Sequence, residues 1–265
     1  MKKLFLIKLG GSLITDKKTP YNPRLSILKR LCKEIRGLSR KNHTFIVGHG
    51  GGSFPHYPAK KYETQRGVVN NKSLKGIAEV QDAAARLNRI VVNELIKAGE
   101  NAISFSPSSL LITDNGEIKT AFLDSLLQSL ELGMLPVVYG DVTFDTKKGC
   151  NILSTEKILN YLALKFRSNY NSVKIIYCGI TDGVYDETGE TVKKISIDKF
   201  NRLKRQIGKS EGIDVTGGML HKVEEALKIA QKKIPTLIIN GTRKDELTRA
   251  VWGKIIKGTL VAGQN

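Results

Sequence analysis

One tryptophan stands in this chain of 265 residues, and aromatic residues make up only 6% of it, so an aromatic platform for stacking nucleic-acid bases is lacking. The three cysteines, Cys32, Cys150 and Cys178, are odd in number, scattered and without metal-ligand spacing. They exclude a disulfide framework and read as ordinary thiols of a reducing, cytoplasmic compartment. No HxH, HExxH or CxxC pattern is present, nor a spacing that suggests a Ser-His-Asp arrangement, and no protein-held metal is expected. No apolar stretch is long enough to span a bilayer. The opening run, Lys2 to Leu9, is interrupted by Lys8 and is too short for a signal peptide. A Pro/Ser-rich linker is also missing, which favours a single two-lobed domain over 1–265.

Acidic residues are in deficit: 25 Asp and Glu against 43 Lys and Arg leave a formal charge of +18. Such a balance invites a nucleic-acid reading, because clustered basic residues release counterions from a polyphosphate. Here the basic pairs, such as Lys17-Lys18, Lys60-Lys61, Lys147-Lys148 and Lys232-Lys233, are spread along the chain without a long run. A lysine-rich solvated surface that attracts anionic metabolites is the simpler reading. Neither nucleic acid nor membrane is expected as a partner.

What the chain does have is glycine in telling places. Gly48 to His56 reads GHGGGSFPH directly after the apolar run His43 to Val47. A strand followed by such a loop lets backbone N–H groups approach an anion closely. A second cluster, Gly10-Gly11-Ser12, ends the buried strand Lys3 to Leu9, with Lys8 before it and Lys17 after it. A third, Asp214 to Met219, precedes a helical pattern that carries Lys222. Each cluster by itself is commonly a mere turn. Three of them, each with a lysine, imply more than one phosphate group, with chemistry supplied by lysines, a histidine and backbone amides.

Strand-like runs near 3–9, 44–48, 101–105, 135–139, 173–178, 235–239 and 257–262 alternate with helical patterns near 24–40, 73–98, 122–132, 155–167, 197–206 and 219–232. This alternation predicts an α/β fold with a largely parallel sheet covered by helices on both faces. The glycine turns follow predicted strands at their carboxyl ends, where open sheets of this kind bind ligands, so one cleft is expected. Gly140 ends another such strand and can offer an N–H to an anion, while Asp141 reads as a residue that holds a donor in place or as a turn residue.

In chain order, Lys8-Leu-Gly-Gly-Ser12, the glycine loop at 50–53, Asp182-Gly-Val-Tyr185, Thr216-Gly-Gly-Met219 with Lys222, and Gly258-Thr259 resemble the amino acid kinase superfamily. Within it, GGSLITDK, GGGSFPHYPAKKY, Ser106-Pro-Ser-Ser109, YGDV and Gly149 to Ser154 are similar to the isopentenyl phosphate kinase group. The resemblance implies an open αβα sandwich, usually a homodimer, with an acceptor lobe over about 1–145 and an ATP lobe over about 146–265. It implies Mg2+ and ATP as cofactors and isopentenyl phosphate as substrate. Lys8 and Lys17 would contact the transferred phosphoryl, and Lys222 would hold the ATP phosphates. Leu9, Gly10, Gly11, Ser12, Gly52, Asp182, Gly183, Gly217 and Gly218 would complete the nucleotide site. Gly51, Gly140 and His56 would grip the acceptor phosphate.

A phosphate monoester with a second pKa of about 6 is already mostly ionised at neutral pH, so His56 is expected to orient the acceptor as a donor and not to act as a base. His49 and His221 are read as supports. The prenyl tail is expected along 73–98, for example at Ile77, Val80 and Ala84, although helix periodicity assigns core and pocket equally well. The chain departs from the group's pattern in reading Ser53-Phe-Pro-His56 for SFGH, Ser154-Thr-Glu-Lys157 for SGDD, and Gly179-Ile-Thr-Asp182 before Gly-Val-Tyr. Three other readings stay open: a phosphonate kinase of the fosfomycin type, a nucleoside monophosphate kinase and a non-catalytic nucleotide-binding protein.

Overall fold

The computed structural model describes residues 2–38, 43–201, 217–254 and 256–263. Eight strands form the main sheet: β1 (Lys3–Leu9), β2 (His43–His49), β3 (Ala102–Ser104), β6 (Leu135–Tyr139), β9 (Ser172–Gly179), β10 (Lys194–Ile195), β11 (Thr236–Asn240) and β12 (Gly258–Val261). Their order is β10-β12-β11-β9-β1-β2-β6-β3. Every described pairing is parallel except that of β11 with β12, as the apolar runs of the sequence predict. A second sheet, in the order β5-β4-β7-β8, is built from β4 (Leu111–Asp114), β5 (Glu117–Ala121), β7 (Asp141–Asp145) and β8 (Gly149–Leu153). The alternation of strand and helix patterns does not predict it.

The helices are α1 (Gly11–Ile14), α2 (Leu25–Gly37), α3 (His56–Lys61), α4 (Asn71–Lys97), α5 (Pro107–Leu110), α6 (Asp124–Glu131), α7 (Thr155–Phe166), α8 (197–201), α9 (Gly217–Ala230) and α10 (Glu246–Val251). The remainder of the helix expected near 197–206, and residues 214–216 of the third glycine cluster, lie outside the described residues. Side chains of β1 alternate between the two faces of the sheet. Leu4 and Leu6 join a core shared with α6, α7 and α9, whereas Phe5, Ile7 and Leu9 join one shared with α2, α4 and α10. Burial on both faces explains why β1 reads as a continuous apolar run, and it makes the strand a rigid base for Lys8.

Candidate active site

Four adjacent strands of the main sheet, β9, β1, β2 and β6, end beside one cavity of about 610 Å³. Each sends a loop into its wall: Gly11 and Ser12 after β1, Gly50 to Pro55 after β2, Gly140 after β6, Ile180 and Thr181 after β9. The starts of α7 and α9 close it, through Ser154 to Glu156 and through Gly218 to Lys222. The single expected cleft is therefore present, and Lys8, Gly11, Ser12, Lys17, Gly51, Gly52, His56, Gly140, Gly218 and Lys222 all line it.

The first two glycine loops lie against each other. A Cβ on Gly11 would fall 2.4 Å from the Gly52 nitrogen, and one on Gly50 would fall 2.8 Å from the Gly11 nitrogen, so neither position admits a side chain without a backbone shift. Gly52 has φ +54°, and a Cβ there would meet Thr15 Oγ1 at 2.0 Å. Buried Thr15 clasps the loops together: its hydroxyl donates to the Gly11 carbonyl at 2.8 Å and accepts the Ser53 N–H at 3.0 Å. Nothing in the spacing of Thr15 reveals a partner 38 residues away.

Lys8 is 5% exposed and forms an ion pair with buried Glu156 at the start of α7. Its ammonium also lies 5.8 Å from the centre of the Tyr177 ring on β9. Burial, then repulsion from Lys8, outweighs the attraction of Glu156, and with Lys17 adding repulsion the Lys222 pKa falls to about 8. Three ammonium groups within electrostatic reach, with one carboxylate between them, make a site for a multiply charged anion. Lys157 does not oppose this arrangement: its ammonium turns to Glu117 at 2.7 Å and to the Gly116 carbonyl at 3.1 Å.

The structure moves four expected contacts off the cavity wall. Gly10 spends its N–H on the Cys178 carbonyl at 2.8 Å, extending the β1–β9 ladder, so that amide is not available to a phosphate. Leu9 is fully buried in the core. Asp182 accepts from Asn240 at 2.9 Å and from Arg243 at 2.6 Å, while Lys257 lies 3.4 Å away. Gly183, at φ +127°, leaves room for Thr259, whose hydroxyl accepts the Val184 N–H at 2.8 Å. Asp182 and Gly183 thus fasten the β9 loop to β11 and β12. Gly217 is described only as the first residue of α9.

The histidines differ in placement: His49 lies in the core, whereas His56 and His221 both line the cavity. His49 is buried, stacks on Tyr139 with ring centres 5.5 Å apart, and shares a 3.1 Å hydrogen bond with Asn88. Burial holds its pKa down to about 4, so it is neutral and structural. His56 begins α3 in the cavity wall, where burial against that wall and the Lys17 ammonium lower its pKa. His221 also lines the cavity and meets Ser154 Oγ at 3.2 Å. Pro55 caps α3 with φ −75° and packs where a Gly51 Cβ would stand, 2.2 Å from Pro55 Cγ, so the unusual proline and Gly51 fit as a pair.

The pattern of the Amino acid kinase family matches residues 3–240. The chain belongs to that family. Isopentenyl phosphate kinase of Methanocaldococcus jannaschii is 30% identical over 97% of this chain and 98% of its own length. The enzyme of the same name from Methanothermobacter thermautotrophicus is 30% identical over 99% and 100%. A solved isopentenyl phosphate kinase structure superposes with a TM-score of 0.81 at 28% identity, covering 97% of this chain and 99% of that one.

As an amino acid kinase the chain uses ATP, and the lysine-lined part of the cavity suits its charge. The lining of this amino acid kinase also includes the apolar residues Ala59, Val80 and Ile152, the first two packed in one cluster. Of the three helix positions expected there, Val80 lines the cavity; Ile77 packs behind it with Val142 and Cys150, and Ala84 is buried elsewhere. Among the described residues no helix is long and apolar enough to cross a membrane.

Proposed function

We propose that this chain transfers the γ-phosphoryl of ATP to isopentenyl phosphate, giving isopentenyl diphosphate and ADP. The observation that carries the proposal is the joining, in one cavity, of Lys8, Lys17, Lys222, His56 and two interlocked glycine loops with apolar lining residues. An oxygen of the acceptor phosphate forms the new bond to the γ-phosphorus as the bond to the β-bridging oxygen breaks, and ADP leaves with that electron pair. Because the acceptor is already ionised, no base is required; positioning and charge neutralisation do the catalysis.

In this reading Lys17 meets charge that grows in the transition state, Lys8 is aimed by Glu156, and Lys222 holds the ATP phosphates. The amides of Gly11, Ser12 and Gly52 face the transferred group, and Gly51, Gly140 and His56 hold the acceptor. Asp141 and Glu156 are the two carboxylates among the described lining residues, and Glu156 is engaged by Lys8. Mg2+ would accordingly ride on the nucleotide phosphates, where it neutralises charge. The same reading includes an acceptor lobe over about 1–145, an ATP lobe over about 146–265, a cytoplasmic setting and a homodimer, the last checked by light scattering during gel filtration.

The purified chain, given Mg-ATP and separately isopentenyl phosphate, dimethylallyl phosphate, fosfomycin, UMP or glutamate, should show its highest kcat/KM on isopentenyl phosphate. A higher value on fosfomycin would make it a phosphonate kinase. A higher value on UMP would remove the acceptor assignment and leave the fold untouched.

A further inference from the structure

Lys17 lines the cavity, yet it is an exposed residue, and no hydrogen bond or ion pair to a described residue ties its ammonium down. Its aim therefore depends on the loop that carries it. That loop is closed at its base: Thr15 and Pro23 pair as an antiparallel bridge, the Asp16 N–H donates to the Asn22 carbonyl at 2.9 Å, and the Arg24 N–H donates to the Ile14 carbonyl at 2.7 Å. Lys17 stands on the outgoing limb, just past these bonds, where the Lys18 N–H turns back to Asp16 Oδ1 at 3.0 Å.

Tyr21, on the returning limb, has φ +56°. A bulky side chain rarely adopts this left-handed backbone, which persists only where surrounding contacts fix it. Those contacts come from two other elements. The ring meets Phe54 edge-on at 5.6 Å and Tyr57 at 6.1 Å, and the Arg86 guanidinium of α4 lies 5.0 Å from its centre, itself paired with Asp82 at 3.0 Å. The Tyr21 N–H adds a bond of 3.5 Å to the Ser53 carbonyl. Phe54 is buried, and with Tyr57 it brackets Pro55 and His56, which line the cavity. Tyr21 is not among the lining residues, so it acts on the site only through its loop.

We infer that Tyr21 is a positioning residue for Lys17: its ring, seated on Phe54, Tyr57 and Arg86, fastens the Lys17 loop to the segment that presents His56, so that the two side chains keep a fixed relation during transfer. The inference rests on the role of Lys17 given above and adds the residue that holds it in place. Alignment of this kind matters because a displacement of about 1 Å can cost on the order of a hundredfold in rate.

Tyr21→Asn removes the ring but keeps the backbone N–H and a residue type that tolerates positive φ, whereas Tyr21→Phe keeps the ring. Kinetics are read with Mg-ATP and whichever acceptor named above the wild type uses best. Tyr21→Asn should lose about tenfold or more in kcat, with KM for ATP within about twofold, and Tyr21→Phe should retain most of the turnover. In a Lys17→Ala background, Tyr21→Asn should lower kcat by less than about twofold, because no ammonium is left to position. Trypsin, which cleaves after Lys17 and Lys18, should cut this loop faster in Tyr21→Asn while cleavage elsewhere keeps its wild-type rate. The cleavage arm needs no turnover, so it decides even where Lys17→Ala is too slow to measure. Equal losses in both backgrounds would make Tyr21 a general support of the fold and overturn the inference. So would unchanged kcat in Tyr21→Asn, an equal loss in Tyr21→Phe, or unchanged cleavage of the loop. Full turnover by Lys17→Ala, or a wild type that uses none of the acceptors, would overturn the role of Lys17 and the inference with it.

Discussion

Lys222 holds an ammonium in the cavity wall where the unliganded fold bears a cost. Burial and the neighbouring Lys8 and Lys17 ammonium groups bring its pKa to about 8. Below that pH the folded and unfolded states both carry the proton, and the folded state bears the full cost of a poorly compensated charge. As pH rises from about 8 towards the ordinary lysine value the folded state releases its proton first, so the cost fades. Lys222→Met should therefore raise the melting temperature of the nucleotide-free protein at pH 7, on the order of a few degrees, with the gain shrinking near pH 10. The same variant should weaken ATP. A lower melting temperature at pH 7 would show that the ammonium is stabilising.

Asp141 carries the opposite sign of charge and gives the opposite slope. Its Oδ1 accepts the Val142 N–H at 2.8 Å, and the Ser106 hydroxyl lies 3.5 Å from Oδ2, but burial outweighs these donors and lifts the pKa to about 7. Between the ordinary aspartate value and 7 the folded state holds the extra proton, so this residue makes stability fall as pH rises through that window. Asp141→Asn should lack that slope. Melting curves of the two proteins at pH 5 and pH 8 should diverge in favour of the variant at the higher pH; parallel curves would mean that Asp141 is ionised throughout.

At the scale of elements, the main sheet was legible because β1, β2 and β9 are apolar on both faces and end at glycine. The second sheet was not, since its strands are short and half polar, as in Glu117–Ala121. One signal was available all the same. Asn115-Gly116 separates β4 from β5, with φ of 50° and 82°, the combination that two-residue hairpins favour. The site was legible where a residue type carries its own chemistry, as with Lys8, Lys17, His56 and Lys222. It was illegible where tertiary pairing decides, as with Gly10, whose amide serves Cys178, and Thr15, whose partner lies in another loop.

Asp145 is the joint of that second sheet. At the end of β7 it accepts from the amides of Gly116, Lys147 and Lys148 at 2.8, 2.9 and 2.9 Å and from the Thr113 hydroxyl at 2.8 Å, linking both hairpins. These donors, exceeding the opposing effect of burial, set its pKa well below the usual carboxylate range. Asp145→Ala should cost about 1–3 kcal/mol or more, as buried donors lose a charged acceptor. The native contribution of Asp145 is present above the ordinary aspartate pKa and is lost as pH falls below it, so the gap between wild type and variant should narrow in acid. Equal urea midpoints at pH 7 would refute the role.

The whole molecule is organised around β1. It pairs with β2 on one side and with β9 on the other, in parallel register from Lys3 to Leu9 on both. Residue 3 meets residue 43 and residue 172, so one neighbour is near in the chain and the other is far. During synthesis the strand that bears Lys8 must wait for more than half of the chain before its second edge is covered. Until then Leu4 to Leu9 offers an open, apolar ladder to any other nascent strand. A fragment ending at residue 145 should consequently aggregate when expressed alone, and supplying 146–265 as a second polypeptide in the same cell should bring part of it into solution. A monodisperse, folded 1–145 would show instead that the amino-terminal half closes without β9. On this account the placement that sets Lys8 between two parallel neighbours in the cavity wall also delays closure of the sheet, and links slow, assistance-dependent folding to the architecture of the site.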